Sequence, residues 1–218
     1  MYTLKYFLFL FLVCFNSPLF AQWSVGVSGG ATLSFRQWNL IDLADIGYDP
    51  GLSYNAALMG EWRAGQVFSL RVEGGYQVWR GSVSYITLHI INATLKDDLK
   101  SLSGAILAKI TPFKRPNLYF LTGPSAARIL VNRGVIKSED PLPPEQSHTF
   151  KFDLKEKGIE PNQYFVNFGL GKAFKFGASG HLTLEARYQL GLSNLSYAST
   201  VDARISSLLV NVGYLYQF

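Results

Sequence analysis

From Leu208 to the end of the chain every second residue is large and apolar: Leu208, Val210, Val212, Tyr214, Tyr216 and Phe218. Between them stand Leu209, Asn211, Gly213, Leu215 and Gln217, a smaller and more polar set. A period of two marks a strand with two different faces. Chain ends of soluble domains usually fray. A strand closing a membrane barrel instead sets its outer face in lipid and its end in an aromatic girdle. Tyr214, Tyr216 and Phe218 are therefore expected to be girdle residues, on the strand by which barrel-assembly machinery takes hold of the chain.

The alternation recurs upstream. The first strand, Gln22 to Arg36, sets Trp23, Val25, Val27, Leu33 and Phe35 against Ser24, Ser28, Thr32, Ser34 and Arg36. The second, Leu52 to Arg63, sets Tyr54, Leu58 and Trp62 against Asn55, Met59, Glu61 and Arg63. The third sets Phe68, Leu70, Val72, Tyr76 and Val78 against Ser69, Arg71, Glu73 and Gln77. The fourth, Leu99 to Pro112, is weaker, with Leu102, Ile106 and Ile110 against Ser101, Ser103 and Lys109. The fifth, Leu118 to Val131, places Tyr119, Leu121, Ala127 and Ile129 on one side and Thr122 and Arg128 on the other. The sixth, Tyr164 to Phe176, and the seventh, His181 to Ser193, repeat the pattern, and the C-terminal stretch is the eighth.

Connections alternate in length. Residues 64–66, 113–117 and 177–180 form short turns, while 37–51, 81–98, 132–163 and 194–202 form long loops. Short periplasmic turns, longer outer loops and an even strand count belong to outer-membrane barrels. Each strand reaches the roughly 9–11 residues needed to span a bilayer, and an open sheet edge in lipid would leave backbone groups unpaired. The expected fold is an all-β, eight-stranded antiparallel up-and-down transmembrane β-barrel. It occupies residues 22–218, with both termini periplasmic.

Residues 1–21 carry Lys5, an apolar run from Tyr6 to Phe15, and Pro18 before Ala21. That layout is a secretory signal peptide cleaved between Ala21 and Gln22. The single cysteine, Cys14, lies within it, so the mature chain has no thiol chemistry. The formal net charge of +5 is modest and its basic residues are scattered, which argues against nucleic acid. Twelve Tyr, sixteen Phe and twenty Gly suit short strands and tight turns.

The phase opposite the aromatics carries charges of both signs: Glu61, Arg63, Arg71, Glu73, Glu185 and Arg187, with Lys109 and Arg128 between. A soluble lipocalin-like barrel would turn the apolar phase inward, but the signal peptide, the alternating connections and the terminal Phe favour apolar outward. An eight-stranded interior is just wide enough for side chains to fill it. Charges confined there must be paired to offset desolvation. Glu61 and Arg71, on hairpin neighbours, can meet across the ladder. The eight charges are thus expected to plug the lumen, with a narrow ion path as the alternative.

Candidate chemistry is sparse. His181 opens the seventh strand, His148 lies in the proline-bearing third loop, and His89 lies in the second loop. Ser82, Ser84, His89 and Asp97 or Asp98 could be forced into a Ser–His–acid set, but no spacing supports it. No His pair shares a ligand spacing with a carboxylate, so neither metal nor cofactor is expected. The third loop is the most individual segment, and its stretch Phe150–Gly158 suits a short helix or a strand extension. Surface loops on a rigid barrel are where binding is built. The expected partners are outer-membrane lipid and a protein at loops 81–98 and 132–163.

LYFLTGPSAARIL, from Leu118 to Leu130, resembles the fifth-strand "YLLAGPS" signature of PorT-like barrels. These are small OmpA/OmpX-type outer-membrane proteins common in Bacteroidetes-type bacteria. LTLEARYQLGLSNL, from Leu182 to Leu195, is similar to the family's "LEARYSLGLTNI" strand, and FGLGKAF, GYLYQF and the Ala21–Gln22 junction also fit. The fourth strand departs, with SLSGAILAKI in place of "LEIPLLLKY", Lys109 being kept. The resemblance spans the mature chain and implies barrel fold and outer-membrane location. The family mostly lacks a known activity, and its namesake takes part in protein secretion. Together these readings lead to a non-enzymatic structural or interaction barrel. A narrow channel, a secretion-machinery subunit and, last, a rim enzyme are the alternatives.

Overall fold

The computed structural model describes residues 22–40, 46–87, 91–112, 117–139, 148–153, 159–195 and 201–218. The proposed signal peptide with Ala21, residues 113–116 of the second turn, His89 and the tips of the four long connections lie outside the described residues.

Among the described residues nine strands are present: β1 (Gln22–Leu40), β2 (Ile46–Arg63), β3 (Phe68–Thr87), β4 (Ile91–Ile110), β5 (Leu118–Glu139), β6 (His148–Asp153), β7 (Asn162–Phe176), β8 (Gly180–Gly191) and β9 (Val201–Gln217). The sheet runs β4-β3-β2-β1-β9-β8-β7-β5-β6, and β4 also pairs with β5. That pairing closes the ring. β6 hydrogen-bonds only to the upper part of β5, Arg133 to Ser138, so it lengthens the wall and leaves the barrel eight-stranded. Every pairing is antiparallel, and β1 and β9 zip from Ser24↔Gln217 to Leu40↔Val201.

The wall is uneven in height. β3, β4 and β5 run for 20, 20 and 22 residues, whereas β8 has 12. The expected loop 81–98 is mostly a continuation of β3 and β4, paired from Gly81↔Asp97 to Thr87↔Ile91. Likewise β1 and β2 enter the segment 37–51, β5 and β6 take up much of 132–163, and β9 begins at Val201. Extended backbone persists there because the hairpin ladder keeps pairing N–H and C=O groups, and residues such as Val83, Tyr85, Ile86 and Thr94 favour it. At the short-turn end, Gly177 adopts φ 73°, a left-handed conformation that favours glycine.

The alternation sorts the wall into two surfaces. Outward stand Val25, Val27, Val72, Ile106, Phe168, Leu184, Val210 and Val212, each about half exposed, and Leu58, exposed further. Inward stand buried Ser24, Thr32, Asn55, Glu61, Arg71, Gln77, Asn167, Thr183, Glu185 and Asn211. A water-soluble fold does the reverse. Two expected phases fail. On β5, Tyr119, Leu121 and Ala127 are buried inside, while Phe120 and Arg128 face out. The two faces of β5 differ little in polarity below the bulge, so the period alone misassigns them. Val78, expected outward on β3, is buried, beside an irregularity in the β2–β3 register between Gly51 and Asn55.

Candidate functional site

The lumen is stacked in layers. Nearest the short turns, six charged residues form one network. Arg71 Nε and Nη2 donate to Glu61 Oε2 at 3.2 and 3.1 Å, and Lys109 Nζ donates to both oxygens of the same carboxylate at 2.8 and 2.9 Å. Arg71 Nη1 reaches across to Glu185 Oε1 and lies 3.5 Å from Glu73 Oε1. Arg187 clasps Glu73 through Nη1 and Nη2 at 2.7 and 2.9 Å and also bonds Glu185 Oε2 at 3.0 Å. Tyr119 donates its hydroxyl to Glu185 at 2.6 Å, and Lys109 Nζ sits 4.4 Å from the centre of the Tyr119 ring. Three carboxylates thus face three cations. A buried network is tolerable only when charges and hydrogen bonds balance in this way. Leu107 and Leu121 pack beside it with Tyr119.

The register explains the arrangement. Glu61 is the direct partner of Arg71 on the β2–β3 ladder. In the ring, β3 and β8 stand four strands apart whichever way it is followed. Arg71 and Glu73 therefore meet Glu185 and Arg187 across the full width of the lumen. Tyr119 fits because Gly171, its ladder partner on β7, has no side chain: a Cβ there would lie 2.3 Å from the Tyr119 ring.

Above this layer come amides and hydroxyls. Gln77 Nε2 donates to Gln189 Oε1 at 3.0 Å, again joining β3 to β8, and Asn55 Nδ2 donates to Asn211 Oδ1 at 2.9 Å. Asn167 and Gln189 both donate to Ser125 Oγ. A cavity of about 40 Å³ lies among Asn55, Gln77, Asn167, Gln189, Glu73 and Arg187, room for a few waters. Higher still the lumen turns apolar. Trp79 and Phe165 rings meet at 5.6 Å, packed with Leu99, Ala127, Leu195, Ala203 and Ile205. Beyond them Arg36 Nη1 pairs with Asp97 Oδ2, both side chains buried.

Of the eight charges expected inside, the structure brings together Glu61, Arg71, Glu73, Lys109, Glu185 and Arg187. Arg63 stands half-buried at the short-turn mouth, opposite Ser69 and Gln22. Arg128 is a correction. It faces outward, because β5 holds the phase that puts Tyr119 and Ser125 inside. Tyr119, which belongs to the network, gives no sequence signal, since a large aromatic is taken as lipid-facing. Tyr214, Tyr216 and Phe218 all point outward, with Tyr216 and Phe218 edge to face at 5.2 Å. Gln22 opens β1. His181 Nε2 lies 3.3 Å from Gln217 Oε1, half-buried at the short-turn end.

Among solved structures, the outer membrane protein OprG from Pseudomonas aeruginosa superposes with a TM-score of 0.52 at 12% identity, covering 89% of this chain and 95% of that one. This chain shares its fold. Neisserial surface protein A matches with a TM-score of 0.46 at 9% identity, over 90% of this chain and 97% of that one. No protein-family model matches the chain, and no curated protein matches it in sequence.

Proposed function

We propose that the chain is an integral outer-membrane barrel of the PorT-like kind, without catalytic activity, whose lumen is a structural plug and whose tall wall and loops form the interaction surface. One observation carries this: the outward surface is an apolar belt while the charges are inside and mutually paired. Lipid is the solvent that makes that inversion stable. The sequence resemblance over Leu118–Leu130 and Leu182–Leu195 supports the family, and the segment 1–21 supports export. The long-loop end is then extracellular and both termini periplasmic.

The channel reading finds less support. An ion would have to pass a neutral network tied across the lumen and then the Trp79–Phe165 layer. Heat modifiability tests the proposal. Outer-membrane fractions are run unboiled and boiled on a denaturing gel. A faster-migrating unboiled band is expected. Identical bands, with the protein in the soluble periplasm, would overturn it.

A further inference from the structure

Arg128, once placed on the outer face, joins a group that the lumen does not use. On β3, β4 and β5 the outward charged side chains described at the long-loop end are Arg80, Lys96, Lys100, Arg128 and Arg133, with Asp98 among them. The register sets Arg80 opposite Asp98 and Asp98 opposite Arg133, so three strands put these side chains in one row. Arg80 Nε meets Asp98 Oδ1 at 3.0 Å, both side chains being nearly half exposed. Two further acids border the row: Asp153 on β6 is the ladder partner of Arg133, and exposed Asp49 on β2 pairs with Ser82, the partner of Lys96, so cations still outnumber acids five to three. Lys100 lies a row below, and Arg128 stands opposite Leu102, the last outward apolar residue of β4. A β-bulge between Lys100 and Ser101 shifts the phase of β5, which is why both Arg128 and Arg133 face out. On β1 the outward side chains toward the same end are Leu33 and Phe35. The basic cluster therefore lies on β3, β4 and β5, while Arg204 of β9 is exposed separately at the same end.

We infer that this patch binds the phosphate-bearing headgroup of an anionic membrane lipid. The inference rests on the membrane reading above. The row beginning at Lys100 stands immediately above the apolar belt, where two residues along a strand rise about 6–7 Å. The polar zone occupies roughly the 5–8 Å beyond the hydrocarbon core. Arg128, at the belt's edge, can bury its stem against apolar surface and lift its guanidinium into that zone. Arg forks match phosphate oxygens bidentately, and Lys adds a point charge. An acidic soluble protein would have to approach a surface that is continuous with lipid, so a lipid is the occupant that fits.

The test uses the mature chain reconstituted in nanodiscs of zwitterionic lipid containing a phosphorylated anionic glycolipid or its dephosphorylated counterpart. Native mass spectrometry counts the lipid retained per barrel. The wild type should retain the phosphorylated form preferentially. Lys100→Gln/Arg128→Gln/Arg133→Gln should retain it at least about tenfold less. Asp98→Asn should retain more, and Lys175→Gln, at the other end of the barrel, should match wild type. Equal retention by the triple variant, equal retention of the dephosphorylated lipid, or displacement by millimolar inorganic phosphate would overturn the inference. A protein that stays heat-modifiable and membrane-inserted yet shows no preference defeats this inference alone. One that fails to insert defeats the membrane reading as well.

Discussion

Arg187 on β8 and Glu73 on β3 are joined by two parallel hydrogen bonds, 2.7 and 2.9 Å long, from opposite walls of the barrel. Arg71–Glu185 and Gln77–Gln189 span the same two strands. Three ties across one diameter make the lumen a brace between β3 and β8 rather than an open bore. The small interior of an eight-stranded barrel allows it, because facing side chains can touch.

Glu73→Gln should be costly, since it leaves Arg187 short of a counter-charge in a buried setting. The loss expected is about 3–5 kcal/mol. Glu73→Gln/Arg187→Gln should recover much of it, because Glu61 and Glu185 then face Arg71 and Lys109 and the remainder stays neutral. Urea unfolding from lipid vesicles reads both. Additive losses in the double variant would contradict the coupling.

Electrical silence is the second expectation. In planar bilayers at high salt, wild-type protein should give no steady conductance. Removing only the Glu73–Arg187 pair should leave it silent, because Trp79, Leu99, Phe165 and Ile205 still close the lumen above. Conductance should appear only when Trp79→Ala and Phe165→Ala are added and the Arg71–Glu185 and Gln77–Gln189 ties are cut as well. A stable current through the unaltered barrel would refute the plug.

Gly171→Ala should disturb the network without touching a charge. Its new Cβ would press the Tyr119 ring away from Glu185, at about 1–3 kcal/mol. In a Tyr119→Ala background the same substitution should cost markedly less. A similar penalty in both backgrounds would place the strain elsewhere.

The belt makes a prediction that separates lipid from water. Leu184, at 48% exposed, is a position where a soluble protein would accept arginine readily. Val210→Arg, midway along β9, should cost about 2–4 kcal/mol in a bilayer, and Leu184→Arg, level with Lys172 and nearer the short-turn edge, less. Urea midpoints in vesicles compare them; two neutral substitutions would argue against embedding.

The fold was legible wherever one face is polar and the other large. On β8, Leu182, Leu184, Tyr188 and Leu190 alternate with Thr183, Glu185, Arg187 and Gln189, and the period sets each side. β5 defeated the same logic. Tyr119 is large and aromatic yet sits inside, because its hydroxyl has Glu185 to bond and its ring has Lys109 above it. Phe120 and Arg128 share the outer face, so polarity does not separate the two sides. Trp79 and Phe165 keep the inward phase of Gln77 and Asn167, and only their size and apolar character obscured the layer they form. Hairpins continue above the belt with nothing in the pattern to end them, so the loop bounds mark the edge of the apolar belt and not the ends of β3, β4 and β5.

Which face of the wall meets lipid decides whether the barrel is inverted, and oxygen accessibility measures that directly. Residues 22–218 contain no cysteine, so single cysteines carrying nitroxide labels can be placed along β8 from Leu182 to Leu190 and read in a lipid bilayer. Collision with oxygen should rise at Leu182, Leu184, Ala186, Tyr188 and Leu190 and fall at Thr183 and Gln189, a period of two in phase with the apolar face. The opposite phase, or a flat profile with the protein free in solution, would contradict the inverted barrel.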